Sequence, residues 1–204
     1  SRIQYRGREL EDVGRSTSRG GNVRAMIKGG WGFSSFNKIE GLRDKVALTV
    51  KQARLVGKEE SRLAPVDPVV DIVAPQIKKD TSSVPLAQKK RILDEYNDII
   101  WATPKIQTSI LAYGDGKKMV TFANSEGSYV QQARDGLTLR VMVVAREDGD
   151  VQQFSLSMGS SGDFGMVEGL HEQVRDAARR AVDLLAAPQV KGGEYTVVLD
   201  PVLA

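Results

Sequence analysis

The sequence predicts an α+β fold: a largely antiparallel, twisted sheet with two or three helices packed on one face. Three observations predict it. Over residues 105–160, alternating runs are separated by Asp-Gly and Glu-Gly pairs, which favour antiparallel hairpins. Three other stretches repeat apolar residues at helical spacing. No helical stretch falls between the runs of 105–160, so those strands form a meander and not a parallel sheet.

Each element follows in chain order. Residues 9–36 read as strands: Glu9–Arg19 is extended and polar, then Val23, Ala25 and Ile27 alternate with Asn22, Arg24 and Met26. Gly29-Gly30 is read as the two-residue turn into Trp31–Phe36, because both central positions need positive φ. Residues 40–58 form a helix with Leu42, Val46, Thr49, Val50 and Ala53 in one stripe. Residues 59–83 hold Pro65, Pro68 and Pro75, which disfavour a helix or central strand, though Val69–Val73 can pack extended. A second helix covers 84–101, with Leu86, Leu93, Tyr96 and Ile100 on one face, Pro85 in its first turn and Ser82 or Ser83 as cap.

Five strands are expected over 105–160, with turns at Asp115-Gly116, Glu126-Gly127, Asp135-Gly136 and Asp148-Gly149. A third helix covers 167–187, its face built from Val167, Leu170, Val174, Ala177, Ala178, Ala181 and Leu185. Glu172–Arg175, Asp176–Arg179 and Asp176–Arg180 supply charge pairs along it. Tyr195–Leu199 reads as a closing buried strand. Val23–Ile27 echoes Leu139–Val143, and two strand–strand–helix halves would then share one sheet. For that reason residues 1–204 are read as a single domain, with 59–83 as an excursion within it.

Composition narrows the chemistry. The 204 residues include one His and no Cys, with 29 Lys+Arg against 26 Asp+Glu. No Cys excludes disulfides, thiolate zinc sites and cysteine nucleophiles. With His171 alone, a mechanism needing two histidines is incomplete within this chain. No apolar run approaches the roughly 18–20 residues that span a bilayer, and Ser1–Leu10 is not a signal peptide. The absence of Cys fits a reducing compartment, and the expected location is the cytoplasm. Residues 1–60 hold thirteen Lys+Arg against seven Asp+Glu, but the basic residues are scattered and do not interleave with aromatics. Nucleic acid is not the expected partner.

The candidate motifs each fall short of catalysis. His171-Glu172 lacks a second His one helical turn on. Ser160–Gly165 contains an Asp-Phe-Gly without the other parts of a phosphotransfer site, and reads as a strand-to-helix connection. Gly29–Gly32 enters a strand where a dinucleotide fingerprint needs a helix. No Gly-x-Ser-x-Gly elbow is present, and paired carboxylates cannot be assigned. The chain therefore offers no catalytic residue and no metal ligand set.

A wider pattern remains. Glu9-Leu10-Glu11-Asp12-Val13, Ser18-Arg19-Gly20, Val23-Arg24 and Gly30-Trp31-Gly32-Phe33-Ser34-Ser35 resemble the N-terminal region of the TldD/PmbA family, and Gly193–Pro201 resembles the family's strand before its catalytic segment. The closing strand is more TldD-like than PmbA-like. The resemblance implies a zinc-dependent peptidase of the kind also called modulator of DNA gyrase, whose His-Glu-x-x-x-His helix would lie after residue 204. It thus implies an N-terminal domain, trimmed at its beginning as well, that is inactive alone. Zinc belongs to the missing catalytic domain, the substrate is a peptide met by the full-length protein, and the partner is a like or related subunit in a dimer; no membrane is implied. Arg24, Trp31, Gly32 and Phe33 match the family and are either structural, the preferred reading, or the wall of a peptide groove. Two other readings stay open: a stand-alone interaction module binding nucleic acid through the basic N-terminal sheet, and a small hydrolase using His171.

Overall fold

The computed structural model of the chain describes residues 1–61 and 63–201. The fold is α+β, with a mostly antiparallel sheet and three helices. Contacts gather the chain into two compact units and not around one centre. The first holds Ser1–Val13, Pro75–Lys117 and Arg134–Ala204; the second holds Gly14–Ala74 and Lys118–Ala133.

In the first unit, β1 (Arg2–Arg6) turns into β2 (Glu9–Gly14) through Gly7, whose φ is +62°. The sequence reading passes over β1, although Ile3 and Tyr5 alternate with Arg2, Gln4 and Arg6. Two apolar positions are a short signal, and pairing decides it: Ile3 lies opposite Tyr113 and Tyr5 opposite Leu111 on β6 (Ile106–Ala123). β7 (Tyr129–Glu147) pairs along Leu137–Glu147 with β8 (Asp150–Ser160), closed by Asp148 and Gly149, both at positive φ. The strand order is β2-β1-β6-β7, with β8 also on β7.

Residues 105–160 hold three long strands in place of the expected five, because two Asp-Gly pairs do not turn. Asp115-Gly116 lies within β6 and Asp135-Gly136 within β7, and neither glycine has positive φ. Both carboxylates lie beside a lysine where a turn would have exposed them: Lys89 bonds Asp115 at 2.6 Å, and the Lys117 ammonium, bonded to Asp80, lies 3.7 Å from Asp135.

Helices α2 (Leu86–Trp101) and α3 (His171–Asp183) complete this core with the inward residues of β1, β6 and β7. In α2 the buried positions are Lys89, Leu93, Tyr96, Asn97 and Ile100. The helix has no side-chain cap; Asp80 instead caps a 3₁₀ turn at Thr81–Ser83, accepting from the Ser82 N–H at 2.7 Å. The third helix begins later than expected because Gly169 has φ +70°, off the helical region. Its face is as read: Val174, Ala177, Ala178 and Ala181 are buried, and the three charge pairs form. Tyr195–Leu199, expected as a buried strand, has no regular structure, and Val198 is 97% exposed. Its alternation finds no partner strand among the described residues.

In the second unit, β3 (Gly21–Ile27) and β4 (Gly30–Phe36) form their own two-stranded antiparallel sheet, covered by α1 (Leu42–Val56). The echo between Val23–Ile27 and Leu139–Val143 therefore does not build one shared sheet. β5 (Val70–Val73) pairs in parallel with the start of β7, Val70 opposite Tyr129 and Val73 opposite Gln132.

Candidate functional site: the outer face of the β3–β4 hairpin

The four residues singled out by sequence fall on this hairpin, and its register separates them. Ile27 lies opposite Gly30, so the two turn residues are Lys28 (φ +47°) and Gly29 (φ +75°), one position earlier than the Gly29-Gly30 turn expected. A one-residue slip exchanges the faces of a strand. Gly30 is thereby freed for a second purpose: a Cβ there would meet the Ala53 carbonyl oxygen of α1 at 2.5 Å. A Cβ on Gly32 would overlap the Thr49 carbonyl oxygen. Gly30, Gly32 and Ser34 thus form an inner face on which α1 lies backbone to backbone, with Thr49 and Ala53 as its buried residues.

Arg24, Trp31 and Phe33 stand on the other face. Arg24 lies opposite Phe33 and Met26 opposite Trp31. The Arg24 guanidinium carbon sits 4.6 Å from the Trp31 ring centroid, a cation–π contact that ties the two side chains together. Trp31 is 46% exposed and Phe33 58%. Behind them, the Phe33 N–H donates to Gln52 Oε1 of α1 at 3.2 Å, tying strand to helix. Gly32 therefore faces the α1 backbone, whereas the other three residues make an open aromatic surface with one cation held on it. Such a surface can stack on flat or apolar groups and offer a guanidinium to a carbonyl or carboxylate.

The other candidates have structural partners. His171 opens α3, half exposed, with Nε2 3.0 Å from Glu95 Oε2 and its ring edge-on to Tyr96 at 5.2 Å. In the Ser160–Gly165 loop, the Gly162 carbonyl accepts from the Lys78 and Lys79 N–H groups, and Asp163 accepts from the Gly165 N–H at 2.9 Å. Its Phe164 is buried in the core, so the loop connects strand to helix.

One polar cluster escaped the sequence reading. Lys89 is 1% exposed and bonds the buried Asp115. Burial alone would raise the Asp115 pKa, but the Lys89 ammonium and the Tyr113 hydroxyl outweigh it and hold the carboxyl below its ordinary value. Burial, then Asp115, pushes the Tyr113 hydroxyl well above the usual phenol range. The signal was present: Lys89 falls three residues after Leu86 and four before Leu93, in the apolar stripe of α2. Lys89 and Tyr113 line a small, partly open space with Leu93, Tyr96, Leu139 and Phe164, and the lysine is consumed by the ion pair.

Among the described residues, no group of three or more His, Cys, Asp or Glu side chains is placed to hold a metal ion. No helix among them is long and apolar enough to cross a membrane.

Comparison with known proteins gives the class. The PmbA/TldA metallopeptidase domain 1 matches residues 1–54, and the PmbA/TldA metallopeptidase central domain matches residues 79–185. The chain belongs to the TldD/PmbA metallopeptidase family. A metalloprotease of Synechocystis is 38% identical over 100% of this chain and 44% of its own length. A metalloprotease of Methanothermobacter thermautotrophicus is 25% identical over 100% of the chain and 45% of its own length. The chain spans less than half the length of these curated relatives. Two solved structures share the fold. A proposed modulator of DNA gyrase from Thermotoga maritima has a TM-score of 0.74 at 14% identity, over 94% of this chain and 44% of that one. TldE from Thermococcus kodakarensis has a TM-score of 0.66 at 13% identity, over 89% and 41%.

Proposed function

We propose that this chain is the non-catalytic N-terminal portion of a TldD-like zinc metallopeptidase. It covers the catalytic half of the longer protein, narrows access to a peptide cleft and contributes to pairing with a like or related subunit. Restricted access selects short or unfolded peptides over folded proteins. Zinc is bound by the catalytic half, the substrate is a peptide, and the protein works in the cytoplasm. The observation that carries this reading is the match, over the whole chain, to less than half of a metalloprotease 38% identical to it.

Within this reading, Arg24, Trp31 and Phe33 form one wall of the peptide path. Their exposure and the fixed guanidinium suit the backbone carbonyls and apolar side chains of an extended peptide. In the longer protein, Trp31→Ala with Phe33→Ala raises KM for a short peptide about 10-fold, the equivalent of one modest contact, and leaves kcat unchanged. Unchanged KM removes these residues from the path. Salt-sensitive binding of DNA or RNA by this chain near physiological salt would favour a nucleic-acid module instead.

A further inference from the structure

The second unit has almost no hydrophobic interior. Among the described residues, Ala53 is its one buried hydrophobic residue; the others all lie in the first unit. Its inner contact is glycine, serine and threonine against backbone, which buries little apolar side-chain area. Its large apolar residues face outward, most densely on a three-stranded extension formed by β5, residues 118–123 of β6 and residues 129–133 of β7.

Among the described residues, both faces of this extension carry exposed apolar side chains. Successive strand residues point to opposite sides, so Met119 lies on one face of β6 and Phe122 on the other. Met119 is 68% exposed, Phe122 is exposed as well, and on β5 Ile72 is 71% exposed. Among the described residues both edges are open: β5 ends the strand order, and β1 pairs with β6 only as far as Gly114. Open edges beside apolar faces are what soluble proteins ordinarily cover.

We propose that this extension is an intramolecular docking surface, sandwiched in the longer protein by the polypeptide that its relatives carry outside the matched region. The inference rests on reading the chain as part of a longer metallopeptidase. Two observations choose this occupant. The relatives carry more chain outside the match than within it. A second copy joined through a twofold patch covers one face and leaves the other bare.

The test places Met119→Cys and Phe122→Cys, separately, in the longer protein. Labelling by a soluble thiol reagent is followed at each site by peptide mass spectrometry, at a concentration where sedimentation shows a monomer. Both sites are expected to react about 100-fold more slowly than a free thiol. Fast labelling at either site overturns the sandwich. Protection that appears only when the protein dimerises overturns the choice of occupant in favour of a second copy. Peptide cleavage by the same preparations keeps the two readings apart: protection without peptidase activity refutes the proposed function and leaves the docking surface standing.

Discussion

Gly32 and Trp31 are neighbours with opposite duties, and substitution separates them. Alanine at Gly32 drives its Cβ into the Thr49 carbonyl and lifts α1 from the hairpin. Gly32→Ala is expected to cost about 1–3 kcal/mol, the range of overpacked sites, measured by urea unfolding. Trp31→Ala, on the open face, costs less than half as much; equal losses would contradict the assignment of faces. Lys89 and Asp115 are coupled in the same way. Lys89→Met takes the closer of two ammonium groups from the Asp115 carboxylate, leaving Ser1 at 3.3 Å, and is expected to cost toward the lower end of about 3–5 kcal/mol. Lys89→Met with Asp115→Asn recovers part of that loss, because the two paired charges leave together while the Ser1 ammonium loses its carboxylate. Additive losses would contradict the pairing.

At the scale of elements, the 3₁₀ turn before α2 carries a pH dependence. The Lys117 ammonium, then the Ser82 N–H, hold the Asp80 carboxyl at about 2, against an ordinary value of 3.8. A lowered carboxylate pKa contributes stability above the unfolded value that is lost as pH falls through the folded one. Asp80 therefore contributes fully above about pH 4, and its contribution fades between about pH 4 and pH 2. In Asp80→Asn the acid limb of a Tm-against-pH curve is shallower over that window; an unchanged limb would contradict the role. The elements also show what the sequence could and could not reveal. All three helices were legible, because burial on one side imposes a 3.6-residue period. The apolar positions of β7 and the hairpin of β3 and β4 were legible from alternation. Strand ends were not, because Asp-Gly means a turn only where the aspartate is free to face water. At position 115 a distant lysine takes the carboxylate and at position 135 one lies beside it, and a single sequence does not display such pairs. The Gly29-Gly30 turn failed for a related reason: Gly30 serves close approach to α1, and Lys28 takes the left-handed position instead. Of the candidate site, the choice of Arg24, Trp31, Gly32 and Phe33 came from family resemblance, whereas the division between outward and inward faces required the register.

For the whole molecule, the contrast between units matters most. The first unit has a continuous core of strand and helix residues; the second has backbone contacts inside and apolar side chains outside. Such a surface suits a component that completes itself against other polypeptide, in keeping with a chain that matches less than half of its relatives. The most direct measurement is metal content and peptide cleavage of the purified 204-residue chain beside the longer protein, in the same buffer. The account predicts about one zinc per chain and cleavage of short peptides for the longer protein, with neither for the 204-residue chain. One tightly bound zinc on the 204-residue chain, or peptide cleavage by it, would contradict the account.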